Sequence, residues 1–87
     1  MRIDKYLKVA RVLKKRTVGK ELALNERLYI NDKPVKAAHP VNVGDSITIE
    51  FGHRSFTIKV LEIKEHASKQ EALSMYEVIE ETKNEGL

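Results

Sequence analysis

Apolar residues near the start of the chain recur at spacings of three and four: Ile3, Tyr6, Leu7, Ala10 and Leu13. That period predicts an amphipathic helix beginning almost at the first residue. Asp4, Lys8, Arg11 and Lys15 then lie on the side away from Leu7, with Lys5 and Arg16 flanking the row. Thr17 is the expected N-cap of a second helix over about 18–24, with Val18, Leu22 and Ala23 on its apolar side. Gly19 inside that helix is worth about 1 kcal/mol less than alanine, so close packing or a contact is its expected reason. Asn25, which tolerates left-handed backbone, is the expected stop.

The period then drops to two. Leu28-Tyr29-Ile30 predicts a strand, Asn31-Asp32 a tight turn, and Val35 the resumption of the chain on the other side. Pro40 interrupts, and Val43-Gly44-Asp45 reads as a turn into the alternating run Ile47–Phe51. Gly52-His53-Arg54-Ser55 is the expected hairpin loop before a returning strand over Phe56–Ile63. From Ser68 to Lys83 the period lengthens again. Ser68 and Glu71 have the spacing of a capping box, and Ala72, Met75, Tyr76 and Ile79 would line one face of a helix. Met75 and Tyr76 suit a core or a docking surface equally, and Asn84-Glu85-Gly86-Leu87 should fray. The expected class is α+β, with two N-terminal helices on a small antiparallel sheet of four strands and a C-terminal helix. The division is a domain over 1–63 and a helical extension over 64–87.

Charge changes the picture more than composition does. Residues 1–36 hold eleven Lys/Arg against four Asp/Glu, a balance of +7, and residues 37–87 hold five against nine, a balance of −4. The net +3 is therefore a basic front joined to an acidic back, and the front calls for a polyanionic partner. Like charges three and four apart repel by a few tenths of a kcal/mol per pair, so a helix row of this kind has its simplest use in phosphate contacts. Lys14-Lys15-Arg16 precedes the second helix, whose unpaired N–H groups favour an anion, and Lys20 lies one turn further in. Asp4 sits four residues before Lys8 in a first turn, where it can orient a basic side chain or simply cap.

With those residues in view, Arg2-Ile3-Asp4-Lys5-Tyr6-Leu7, Ala10-Arg11, Lys14-Lys15-Arg16-Thr17 and Leu28-Tyr29-Ile30-Asn31 resemble the S4-type RNA-binding domain, the alpha-L motif. That domain occurs in ribosomal proteins, pseudouridine synthases and tyrosyl-tRNA synthetases. Over the whole length, with Gln70-Glu71-Ala72 and Met75-Tyr76, the chain is similar to the heat-shock protein 15 group, and within it to the ribosome-associated quality-control subgroup of Gram-positive bacteria. The resemblance implies contact with large-subunit ribosomal RNA and with peptidyl-tRNA in the P site of a stalled large ribosomal subunit. It also implies support for alanine tailing by a partner factor that recruits alanyl-tRNA. Arg2, Asp4, Lys5, Arg11, Arg16 and Thr17 would be the RNA-contacting or contact-shaping residues, with Lys8, Lys14, Lys15 and Lys20 added by their charge. Two positions depart from the pattern: Glu26 stands where glycine usually precedes the first strand, and Asp32 where Asn-Gly would form the hairpin turn.

Other chemistries find little support. Cysteine is absent, which excludes disulfides and thiolate metal sites, and His39, His53 and His66 have no metal-ligand spacing. No Gly-rich phosphate loop or nucleophile elbow is present, and Glu77, Glu80, Glu81 and Glu85 read as a solvated face. The expectation is a non-enzymatic cytoplasmic monomer with no cofactor and no membrane association. The alternatives are a general rRNA/tRNA-binding assembly or RNA-modification accessory factor, and a DNA-binding helix-turn-helix. The last is disfavoured because Lys20 is the second helix's one long basic side chain and base-reading residues are missing.

Overall fold

Ile3, Tyr6 and Leu7 are fully buried on one side of α1 (Ile3–Val9), as the three-and-four spacing requires. The computed structural model describes residues 1–83; the fraying expected at Asn84-Glu85-Gly86-Leu87 falls outside them. No side chain caps α1. Its first N–H groups are taken by a loop instead, Ile3 donating to the His39 carbonyl at 2.8 Å and Asp4 to that of Ala37 at 3.3 Å. Arg2 is extended and forms an isolated bridge with Pro40.

The helix stops earlier than its apolar spacing suggests. Arg11 adopts left-handed backbone at φ 61°, and the N–H groups of Arg11 and Val12 return to the carbonyls of Lys8 and Leu7, both at 3.0 Å. This is a Schellman turn, with Arg11 in the position that glycine usually occupies. Leu13 is still buried, but it reaches the core from the turn, its N–H also bonded to the Leu7 carbonyl at 3.1 Å.

Helix α2 (Arg16–Leu24) begins before the expected cap. Lys15 is the extended residue at its start, no side chain caps it, and Thr17 stands exposed inside the first turn. Its end repeats the motif of α1. Asn25 keeps negative φ, whereas Glu26 takes the left-handed turn at φ 57°, with Glu26 N–H on the Ala23 carbonyl at 3.1 Å and Arg27 N–H on that of Leu22 at 2.8 Å. The two helices approach each other at Gly19, though at ordinary van der Waals distance that leaves room for a methyl group: a Cβ there would lie 3.4 Å from the Cα and Cβ of Asp4.

The sheet is antiparallel, in the order β2-β1-β3-β4-β5, with β1 Leu28–Ile30, β2 Lys33–Pro34, β3 Ser46–Phe51, β4 Arg54–Val60 and β5 Tyr76–Lys83. Asn31 and Asp32 both have positive φ, 50° and 69°, the conformation of a two-residue type I′ hairpin that right-twisted strands favour. The β3–β4 loop is shorter than expected: Phe51 pairs with Arg54, so only Gly52-His53 turns the chain. Leu28, Ile30, Ile47, Ile49, Ile58 and Val60 alternate inward against α1, and this layer is the core.

The helix expected over Ser68–Lys83 is corrected. Its cap is present, with Glu71 N–H on Ser68 Oγ and Ser68 N–H on Glu71 Oε1, each 3.1 Å, but α3 spans only Lys69–Ala72. Residues Tyr76–Lys83 form the fifth strand instead, pairing with β4 from Val60↔Tyr76 to Arg54↔Lys83. Tyr76, Val78, Ile79 and Thr82 are residue types that pack well in strands, and β4 would otherwise present an open edge. The register shifts between Thr57 and Ile58, which leaves Ile79 as the extra residue of a bulge and places it beside Val78 with about half its surface exposed.

Candidate nucleic-acid interface

Asp4 is fully buried, which corrects its expected place in the outward row. The close approach of α2 at Gly19 covers it. A lone carboxylate in that position would be strongly unfavourable, and this one is paired on several sides. Arg2 donates to it with a fork, Nε to Oδ1 at 3.1 Å and Nη2 to Oδ2 at 3.3 Å. The Lys5 backbone N–H donates to Oδ1 at 2.8 Å. Arg16 Nε lies 3.1 Å from Oδ2, an ion pair whose N–H is not aimed well enough to make a hydrogen bond. Burial pushes the Asp4 pKa upward, but the Arg16 guanidinium, the Lys5 N–H and Arg2 outweigh it and hold the carboxyl below its ordinary value. Asp4 therefore pairs with Arg2 and Arg16 and not with Lys8, four residues along the helix.

The two arginines are not consumed by this pairing. Their side chains are 46% and 38% exposed, against 0% for Asp4. Two positive charges on one negative leave the cluster with a balance of +1, presented to solvent from a fixed base. Arginine suits the task because its planar fork can grip a carboxylate on one edge and a phosphate on another.

Lys8, Arg11 and Lys14 gather elsewhere, around the Schellman turn that ends α1. They line an open groove of about 430 Å³ together with Val9, Leu13, Glu65, His66 and Ala67. Among the described residues none of the three cations has an ion-pair partner. Holding a residue with a side chain in left-handed backbone is unfavourable by about 1 kcal/mol, so Arg11 sits there at some expense to the fold. Lys15 and Thr17 are exposed at the start of α2, whose first turn has no side-chain cap. Lys20, one turn along α2 from Arg16, lines a second, more apolar groove of about 560 Å³ with Ala23, Leu24, Glu26, Pro34, Val35, Lys36 and Ala37.

The tail's contribution was missed from the sequence. Lys5 Nζ forms an ion pair with Glu65, and the Lys5 hydrogen bond and charge lower the Glu65 pKa. Tyr6 donates its hydroxyl to the Met75 carbonyl at 2.7 Å, and burial, with Tyr76 nearby, raises the Tyr6 pKa. Residues 65–75 are thereby tied to α1. No local signal announces pairs separated by sixty residues or more; only the fold brings them together.

Residues 1–47 match the family described as the S4 domain. The RQC P-site tRNA stabilizing factor of Streptococcus pneumoniae is 45% identical over 98% of this chain and 97% of its own length. The chain belongs to the family of RQC P-site tRNA stabilizing factors. The member from Bacillus subtilis is 43% identical over 95% of this chain and 96% of that one. Among solved structures, heat shock protein 15 of Vibrio cholerae, described as trimeric, superposes with a TM-score of 0.82 at 28% identity, over 91% of this chain and 81% of that one. The family match covers the two helices, β1, β2 and the first two residues of β3, and the full-length relatives extend it through the tail. The sequence-based recognition of an S4-type protein of the heat-shock protein 15 group stands.

Proposed function

We propose that this chain is a non-catalytic RNA-binding factor of ribosome-associated quality control. It binds a large ribosomal subunit that carries a stalled peptidyl-tRNA, contacting both rRNA and P-site tRNA. The observation that supports this reading best is the buried Asp4 beneath two partly exposed arginines, Arg2 and Arg16. A phosphate meets guanidinium groups already oriented by the fold, so little side-chain freedom is lost on binding. Lys15 and Thr17 adjoin Arg16 in the chain and are exposed, and the uncapped first turn of α2 adds N–H donors and the favourable end of a helix dipole. Lys8, Arg11, Lys14 and Lys20 extend the positive field on either side.

A factor of this kind acts by holding. Clamped across rRNA and tRNA, it keeps peptidyl-tRNA in the P site while a partner that recruits alanyl-tRNA extends the stalled chain with alanine. The relatives are named for stabilizing P-site tRNA, which supports the tRNA-holding part of this reading. In this reading the chain acts as a cytoplasmic monomer.

Co-sedimentation with large subunits, with and without peptidyl-tRNA, tests the proposal at low and moderate salt. Wild type should pellet with the peptidyl-tRNA-carrying subunits, and Arg16→Ala should be released at lower salt, because one phosphate contact is gone. Equal binding to both kinds of subunit would leave a general rRNA/tRNA-binding factor. Unchanged binding of Arg16→Ala, with its fold intact, would remove the arginine pair from the interface.

A further inference from the structure

We propose that the groove between the end of α1 and residues 65–67 is a second phosphate subsite for the same RNA, and that Glu65 competes with RNA for its rim. The inference rests on the RNA-binding reading above and adds a site in which the C-terminal segment takes part.

Three observations converge on it. The groove collects Lys8, Arg11 and Lys14 with no ion-pair partner among the described residues, while its one carboxylate, Glu65, is engaged by Lys5. An anion is the occupant that such a charge balance favours. Val9, Leu13 and Ala67 supply an apolar lining on which a ribose can rest, and about 430 Å³ leaves room for a phosphate with its sugar. Arg11 is also held at φ 61°, although the turn's hydrogen bonds are backbone to backbone and need nothing from its side chain. Glycine would close the same turn without strain. Backbone strain kept where the fold does not require it points to the side chain's use.

Lys5 joins the two subsites. Its backbone N–H bonds Asp4 in the first, and its side chain pairs with Glu65 at the edge of the second. A phosphate entering the groove would exchange Glu65 for itself as the partner of Lys5. The carboxylate weakens binding of every RNA and rewards one whose backbone reaches both subsites.

Three variants test this by salt titration of binding to large subunits carrying peptidyl-tRNA, with melting temperatures measured on the same preparations. Arg11→Gly should raise Tm by about 4 °C, because the strain is relieved. The same change should weaken binding about tenfold and lower the salt slope by about one, because a phosphate contact is lost. Lys14→Ala should lower the slope similarly with little change in Tm. Glu65→Gln should tighten binding about threefold. If Arg11→Gly raises Tm but leaves affinity and slope unchanged while Arg16→Ala weakens both, the groove is not a subsite and the first reading survives. If Arg11→Gly lowers Tm, the strain argument is wrong. If Glu65→Gln binds no better than wild type, the competition is absent. If wild type itself fails to bind subunits, the RNA reading and the groove fall together.

Discussion

The basic helix face and the acidic edge strand carry comparable densities of charge and use them differently. On the helix face, Arg2 and Arg16 converge on a carboxylate with no solvent exposure. On β5, Glu77, Glu80 and Glu81 stand in water, and the pair between Arg54 and Glu81 is 3.8 Å long with both side chains more than half exposed. A charge anchored from beneath has a position, whereas a solvated one contributes mainly to the field around the molecule. The difference follows from layering. Asp4 lies where α2 closes over α1 at Gly19, while β5 is the last strand of the sheet with no element packed outside it.

The largest effect that separates the two regions should come from Asp4→Ala. Removing one partner of a buried charge cluster commonly destabilises by about 3–5 kcal/mol, and the exposure of both arginines to water reduces this to about 2 kcal/mol. Urea denaturation should show the loss as a lower midpoint with unchanged slope. The same residue sets an acid dependence. Its pKa is lower in the folded protein than its ordinary 3.8, so the unfolded chain binds more protons in that range. The stabilisation is complete above the ordinary value and disappears as pH falls through the depressed one. Glu65 and Glu71 are lowered too, by the Lys5 hydrogen bond and by the Ser68 N–H, and act in the same direction. The difference between wild type and Asp4→Asn, measured from pH 6 down to pH 2, isolates Asp4. The two curves should converge at the acid end.

Tyr6→Phe comes next, because it cuts the buried link between α1 and the segment leading into β5. The Met75 carbonyl would lose its 2.7 Å partner, a change worth about 1–1.5 kcal/mol. Hydrogen exchange should then show earlier opening of β5, while α1 and α2 keep their protection. Uniform loss of protection would mean that the tail and the helix layer unfold as one unit.

How much of this was legible in the sequence depends on how local the cause is. The core positions of α1, the inward alternation of β1, β3 and β4, the Asn31-Asp32 turn and the Ser68–Glu71 box all rest on neighbours within a few residues, and all are present. The fate of Tyr76–Lys83 was not local. Its apolar residues satisfy a helical spacing nearly as well as a strand, and the open edge of β4 decided between them. Asp4 was misplaced for a related reason. Helical projection puts it beside Lys8 and Arg11, but α1 ends before Arg11, and α2 covers the Asp4 side chain. The arginines that hold it lie two and twelve residues away in sequence. Charge identified the face but not its internal wiring.

A smaller and opposite effect should come from Glu26→Gly. Glu26 repeats at the end of α2 the strained position that Arg11 holds at the end of α1, and it stands where the family resemblance leads one to expect glycine. Relief of the left-handed strain should stabilise by about 0.5–1 kcal/mol, seen as a higher urea midpoint. If Arg11 and Glu26 are strained for different reasons, the glycine at 26 should cost no RNA affinity, in contrast to the glycine at 11.

The smallest effect is the sharpest check on the comparison. Glu81→Gln removes one carboxylate from the solvated strand and leaves Arg54 in water, so Tm should stay within about 1 °C of wild type. Its consequence belongs to the long-range field: one negative charge fewer should speed RNA association slightly at low salt and have no effect once added salt screens it. A Tm loss as large as that of Tyr6→Phe would mean that the edge strand, too, holds its charges in place, and the distinction between anchored and solvated regions would have to be given up.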